Sequence, residues 1–307
     1  MAGEKIVIGT DTKYPLNGIL TVPNQNGPFP AVVLVHGSGP SNMDEKIGEN
    51  TPFKDLADGL SEKGIAVIRY DKRTFVYGKE MRNEPGLTVK EETIEDALRA
   101  ADFLRKDERI DAKKIFIIGH SMGGMLAPRI DAEGGDFAGI IIMAGSPRKL
   151  EEIIMDQNDQ VLNSLNRFLK IIAKKQIASL SSKFDNIYNL SDEEAKSTPV
   201  FGKYNKAYYL KEMGEHPAVD YLNGLNKPIF ILQGEKDFQV SIEKDFQGYK
   251  KLLDDRSNVT FKLYPNLNHL FMPSVYGEIL KVKKEYSVAQ HVEQQVIEDI
   301  TDWILSV

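Results

Sequence analysis

The residues best placed to do chemistry are Gly119-His120-Ser121-Met122-Gly123-Gly124. They follow the apolar run Ile115-Phe116-Ile117-Ile118 and precede a helical stretch. A G-x-S-x-G pattern between a strand and a helix makes a turn so sharp that the serine stands at its tip with its hydroxyl exposed. Gly119 and Gly123, two positions to either side, leave room where strand and helix crowd together. The plainer reading is a glycine-rich turn with an incidental serine. A catalytic serine would also need a base, an acid and oxyanion donors elsewhere in the chain.

A histidine must take the proton from Ser121, because neutral serine is a poor nucleophile. A carboxylate must hold that histidine in the correct tautomer and stabilise its charged form. On scaffolds with this elbow the order along the chain is Ser, then Asp or Glu, then His. His216, His269 and His291 follow Ser121. His269 lies in a loop directly after the strand-like run Val259 to Tyr264, at a strand's carboxyl end. His216 precedes Pro217 in a polar stretch, and His291 is expected within the last amphipathic helix. His269 is therefore the expected base. The expected acid is Asp237, in the loop after the buried run Pro228-Ile229-Phe230-Ile231-Leu232, where catalytic groups of open α/β sheets gather. Glu235, in the same loop, is its rival.

Two backbone N–H groups are needed for an oxyanion. One is expected from Met122, the residue after the nucleophile. The other is expected from the loop His36-Gly37-Ser38-Gly39-Pro40, after the strand Ala31 to Val35. Ser38 is the first choice there, with Gly37 or Gly39 open, since small residues let backbone approach a substrate closely. His36 precedes Ser121 in the chain and reads as a brace for its loop.

With these residues in view, the chain resembles the α/β-hydrolase superfamily and, within it, bacterial serine carboxylesterases with a helical cap. The resemblance covers nearly the whole chain. It rests on His36-Gly37-Ser38-Gly39-Pro40, Arg69-Tyr70-Asp71-Lys72-Arg73, Gly119 to Gly124, Gly234 with Asp237, and Asn268-His269. It implies a Ser121-Asp237-His269 triad with an oxyanion hole at Ser38 and Met122. Relatives often carry glycine after the Arg-Tyr-Asp-Lys-Arg run, whereas Thr74 stands here, which alters a loop near the expected site. Asp71 and Arg73 read as an ion pair or loop brace rather than as catalysts.

The 307 residues suffice for a large core, as one α/β domain or a domain with an insertion. A net charge of -6 argues against a nucleic-acid partner. The absence of cysteine rules out disulfides and thiolate metal sites. No basic-then-apolar leader and no membrane-length apolar run is seen, so a cytoplasmic location is expected. No metal or organic cofactor is required. A homo-oligomer is left open.

Strands and helices alternate along the chain. Strands are expected at Ile6–Ile8, Gly18–Val22, Ala31–Val35, Ile65–Arg69 and Phe137–Ala144, besides those already named. A helix over Phe53–Lys63 should end at Gly64. Residues 72–90 read as a polar connection, Thr93–Lys106 as a helix, and Val288–Leu305 as a closing helix. This pattern implies an α/β fold with a mostly parallel sheet covered on both faces. From Pro147 to Val219 the rhythm breaks. Leu150 to Ala178 is helical in spacing, and Ser191 to Lys211 is polar with aromatics at Phe201, Tyr204, Tyr208 and Tyr209. Residues 147–219 are expected to form a helical cap inserted into a core of 1–146 and 220–307, excluding water and shaping the pocket. The plainer alternative is a stabilising decoration. Met122, Met125, Met143, Met155 and Met213 could line an apolar pocket or simply fill the core.

The expected reaction is hydrolysis of small to medium carboxylic esters through an acyl-Ser121 intermediate. A peptidase or amidase, a lactonase or a thioesterase would use the same machinery, although the residues before Ala31 are too few for the propeller of prolyl oligopeptidase-type enzymes. A ligand-binding protein on a hydrolase scaffold would normally have lost one of the three residues, and none is lost here.

Overall fold

A computed structural model describes residues 3–201 and 205–307; Met1, Ala2 and Tyr204 lie outside the described residues. Ten strands are described: β1 (Glu4–Ile8), β2 (Leu16–Thr21), β3 (Phe29–Val35), β4 (Ala66–Tyr70), β5 (Ile110–His120), β6 (Ile140–Met143), β7 (Pro199–Phe201), β8 (Asn205–Lys206), β9 (Ile229–Gly234) and β10 (Val259–Tyr264). The helices are α1 (Pro52–Glu62), α2 (Arg73–Met81), α3 (Glu95–Arg105), α4 (Met122–Ile130), α5 (Leu150–Ser164), α6 (Arg167–Ile187), α7 (Asp192–Ser197), α8 (Ala207–Glu215), α9 (Ala218–Leu222), α10 (Gln247–Leu253), α11 (Val282–Glu285) and α12 (Gln294–Ser306).

Eight strands form one sheet in the order β1-β2-β4-β3-β5-β6-β9-β10. From β4 to β10 all neighbours are parallel, and β2 joins β1 and β4 antiparallel. Successive side chains of a strand point to opposite faces, so the continuous apolar runs feed two cores. Val33, Ile117, Ile142 and Ile231 pack with α3, α4 and α10 on one face. Val32, Leu34, Ile118, Ile141 and Leu232 pack with α1 and α12 on the other. This is the expected α/β architecture. All six parallel strands end at the same edge, and the loops that leave them there carry the candidate residues.

The end of α1 is built as the sequence implies. Gly64 takes φ +91, and the N–H groups of Gly64 and Ile65 return to the carbonyls of Ser61 and Leu60. Four local expectations change. Residues 72–90 are not merely a connection, because α2 lies within them; its middle exposes Phe75 and Val76, so no apolar stripe marks it. The strand expected over 137–144 shortens to β6. The closing helix begins at Gln294 rather than Val288, because the preceding residues are tied down in another way. The N–H of Val292 and the ring of His291 meet Asp55, and the N–H of Glu293 donates to the Phe271 carbonyl. His291 is thus an exposed loop residue beside Asp55. Finally, β7 and β8 form a small antiparallel pair inside a segment expected to hold no good strand.

The segment between β6 and β9 carries α5 to α9 and a small core of its own, with Phe184, Ile187, Ala195, Val200, Ala207 and Leu210. It is fastened to the sheet domain by apolar contact, with Ile153, Met213, Ala218 and Leu222 in the main core, and by charge. Arg148 pairs with both Asp156 and the fully buried Asp245, and Arg129 pairs with Glu212. Near the N-terminal end of α6, Phe168, Ile171 and Ile172 are exposed. Among the described residues no helix is long and apolar enough to cross a membrane.

Around Ser121 the packing is closest at glycine. A Cβ on Gly119 would lie 2.2 Å from the Gly123 carbonyl oxygen, and one on Gly123 would lie 2.2 Å from that of Val35. Neither neighbour is a side chain that can swing aside. Gly123→Ala should therefore cost about 3 kcal/mol or more through forced separation of α4 and β3, read as a lowered urea midpoint at unchanged m-value.

Candidate active site

Ser121 joins β5 to α4 with φ 54 and ψ -118, a conformation that a residue bearing a Cβ rarely adopts. Its N–H donates to the Met143 carbonyl at 2.8 Å, which ties the turn to the end of β6. The half-buried serine lines a cavity of about 450 Å³ together with His269, His120, Ser38, Gln239 and Tyr286.

His269 sits in the loop after β10. Asn268 knots that loop, its side-chain oxygen accepting the N–H groups of Leu270 and Met272 while its amide donates to Glu285. Glu285 is fully buried. Burial alone would raise its pKa, but the Asn268 amide and the Val275 and Tyr276 N–H groups outweigh it and hold the carboxyl below its usual range. The loop thus sets the imidazole so that its Nδ1 lies 2.7 Å from Asp237 Oδ2. The other oxygen of Asp237 accepts the N–H groups of Gln239 and Val240 at 2.8 and 3.0 Å. Its side chain is wholly buried, while Glu235 is exposed. Among the described residues Asp237, not Glu235, meets His269. His216 contacts Tyr221 instead.

The loop after β3 lies against the same turn. A Cβ on Gly37 would stand 3.2 Å from Ser121 Cβ, so the backbone there passes directly over the serine. The Gly37 N–H donates to Glu45 Oε1 at 2.8 Å, and its carbonyl accepts from Lys72 Nζ at 2.8 Å. Ser38 and Met122 line a second cavity of about 430 Å³, which also meets Leu150, Ile154, Tyr209 and Leu210 from the inserted helices. Met122 is the first residue of α4, where N–H groups have no partner within the helix. Of the five methionines considered, Met122 lines this cavity; Met125, Met143 and Met213 are core, and Met155 packs on the small core of the insertion.

His36 does brace its loop, meeting the Asn42 carbonyl at 3.0 Å. Asp71 and Arg73 do not pair with each other. Asp71 accepts the Met43 N–H, and Arg73 pairs with Asp96 and Glu95. Glu45 carries no signal in the sequence. Its buried carboxylate lies 2.9 Å from His120 Nδ1, and His120 Nε2 meets the His269 carbonyl at 3.0 Å. No motif marks a glutamate in a loop whose partner is seventy-five positions away (120 - 45). Among the described residues no group of three or more His, Asp or Glu side chains is arranged to hold a metal ion.

Residues 27–273 match the model of the family described as "Serine aminopeptidase, S33". The chain belongs to this family of the α/β-hydrolase superfamily. It is 39% identical over 295 residues to Esterase EstD of Thermotoga maritima, covering 94% of this chain and 65% of that relative, so it spans a little under two thirds of the relative's length. An uncharacterised peptidase of Bacillus subtilis, YuxL, is 22% identical over 271 residues, 87% of this chain and 35% of its own. In three dimensions the chain is similar to Est1E of Butyrivibrio proteoclasticus, solved with ferulic acid, with a TM-score of 0.61 over 98% of both chains at 16% identity.

Two consequences are measurable. Ser121→Gly should be more stable than Ser121→Ala by about 1 kcal/mol, because only glycine relieves the positive φ; thermal denaturation of the two variants reads the difference. The second concerns pH. Burial pushes the His36 imidazole down to about 4 from 6.5. Between those values the unfolded chain binds a proton that the folded chain refuses, so stability falls as pH drops, by about 3 kcal/mol over the whole window. For His120, burial is outweighed by the Glu45 carboxylate, which raises the pKa. Its contribution is present below pH 6.5 and is lost as pH rises through the raised value. The two histidines together favour a stability maximum near pH 6.5. Denaturant titrations across pH should show it, and His36→Gln should flatten the acid side alone.

Proposed function

We propose that the protein is a serine carboxylesterase acting through an acyl-Ser121 intermediate. The observation that carries this reading is the buried Asp237–His269 contact of 2.7 Å, facing the same cavity as a serine held at a strained strand-to-helix turn. The relation to an esterase over 94% of the chain supports it. In this reading His269 takes the proton as Ser121 Oγ attacks the ester carbonyl. Asp237 holds the Nδ1–H and stabilises the imidazolium. The N–H groups of Ser38 and Met122 bind the oxyanion, each worth on the order of 3 kcal/mol in the transition state. His269 then protonates the departing alcohol, and water repeats the cycle on the acyl-enzyme.

The leaving oxygen must face His269, so the alcohol occupies the 450 Å³ cavity that holds the imidazole. The acyl chain extends past Ser38 and Met122 into the 430 Å³ cavity beneath α5 and α8. Residues 147–219 thus act as a cap that walls the acyl side. Small to medium carboxylic esters fit cavities of this size. The second reading is an amidase or peptidase with the same machinery, favoured by the family's description and by the weaker relation to YuxL.

Hydrolysis of p-nitrophenyl acetate, butyrate and octanoate, beside aminoacyl p-nitroanilides, separates the two. Esters should be the preferred substrates, with activity abolished in Ser121→Ala. Asp237→Asn should cut kcat by about 10⁴-fold, while Glu235→Gln should leave it unchanged. Anilides preferred over esters would establish the peptidase. A folded protein that neither turns over any of them nor labels with a fluorophosphonate would sink both.

A further inference from the structure

Lys72 is a fully buried cation that the proposed chemistry does not use. It belongs to the run Arg69 to Arg73, at the carboxyl end of β4, and its Nζ makes two contacts. One is an ion pair with Glu92 Oε1 at 3.1 Å, and the other is the 2.8 Å hydrogen bond donated to the Gly37 carbonyl. A buried ion pair is by itself weak evidence of a stabilising role, since apolar residues of similar volume often do as well. The contact to Gly37 is more specific. That carbonyl and the Ser38 N–H belong to one trans peptide unit, so they point in opposite directions. The ammonium holds the unit at the end away from the Ser38 N–H. The preceding peptide is fixed separately, through the Gly37 N–H on Glu45.

We propose that Lys72 is a positioning residue of the oxyanion hole: it locks and polarises the Gly37–Ser38 peptide so that the Ser38 N–H is aimed at the developing oxyanion. This rests on the acyl-serine reading above. Two effects combine. Rotation of the peptide, which glycine at position 37 would otherwise permit, breaks a buried charged hydrogen bond. A cation on the carbonyl oxygen also draws density from the nitrogen, which strengthens the N–H as a donor, as in any polarised chain of hydrogen bonds. Glu92 balances the charge and is held in turn by Thr74 and by the Tyr209 hydroxyl of α8. That hydroxyl also lies 3.6 Å from the sulfur of Met122, the other expected donor. One tyrosine of the inserted helices therefore meets Met122 directly and the Gly37–Ser38 peptide through Glu92 and Lys72.

The test uses the full chain and a double substitution, Lys72→Met with Glu92→Gln, which removes both charges at near-constant shape and leaves no buried charge unpaired. The parent is first shown to hydrolyse p-nitrophenyl butyrate in a Ser121-dependent manner; failure there overturns the esterase reading, not this one. With folding verified by circular dichroism and an unchanged fluorophosphonate labelling end-point, kcat should fall about 10- to 100-fold, a fraction of the loss on removing a donor outright, with KM within twofold. Affinity for a butyl trifluoromethyl ketone, whose hemiketal oxyanion would sit in the hole, should fall by the same factor as kcat/KM. An unchanged kcat, a loss carried by KM alone, or undiminished ketone affinity would each overturn the proposal. Should the double variant fail to fold, Lys72→Arg is read on the same two measurements. It keeps the charge but replaces the compact ammonium with a longer planar fork that cannot take its place on the Gly37 carbonyl, and a parallel loss of kcat and ketone affinity is again expected.

Discussion

The contact that organises this molecule is backbone on backbone, where α4 passes over the ends of β3 and β5 with only glycine between. Gly119 and Gly123 remove the side chains that would hold the helix away. Once the helix lies that close, the single residue linking it to β5 has no relaxed conformation to adopt, and Ser121 is driven to positive φ. The same closeness brings the first N–H groups of α4 beside the loop after β3. The serine turn, the helix terminus and the loop after β3 are thus consequences of one steric permission rather than three separate arrangements.

Around that point buried charge holds the chain in addition to the hydrocarbon of Leu270, Phe271 and Met272. Glu45 with His120, Lys72 with Glu92, Asp237 with His269, and Glu285 with Asn268 each join two separate segments of the chain. Loops at the carboxyl edge of a parallel sheet leave backbone donors and acceptors that the sheet cannot pair, and buried polar groups must find partners. Carboxylates accepting several N–H groups meet that need and fix the geometry at the same time. An apolar edge would bury as much surface but would leave the loops free to choose among conformations.

This division explains what could be read from the sequence. Apolar strand runs, the Gly64 helix end and the Gly-x-Ser-x-Gly turn are local patterns with local causes, so the sheet and Ser121 were visible. His269 and Asp237 were visible because chain order and strand ends narrow the choice to a few residues, and the structure brings that pair together. Glu45, Lys72, Glu92 and Glu285 were not legible as partners, since a lone carboxylate or lysine carries no periodicity and its mate is fixed only by tertiary packing. The helix α2, without an apolar stripe, and the early residues of the closing segment, held by Asp55 rather than by helical bonds, were missed for the same reason. Asp71 and Arg73, adjacent enough to suggest a pair, found other partners because the chain turns between them.

The strain at Ser121 also bears on how such a chain changes over generations. Most substitutions that drift into a protein are filtered by stability, and at this turn glycine satisfies that filter better than the residue present. A lineage not selected for turnover would gain stability by exchanging this serine for glycine. A serine standing at φ 54 therefore carries a conformational cost that the fold itself does not repay.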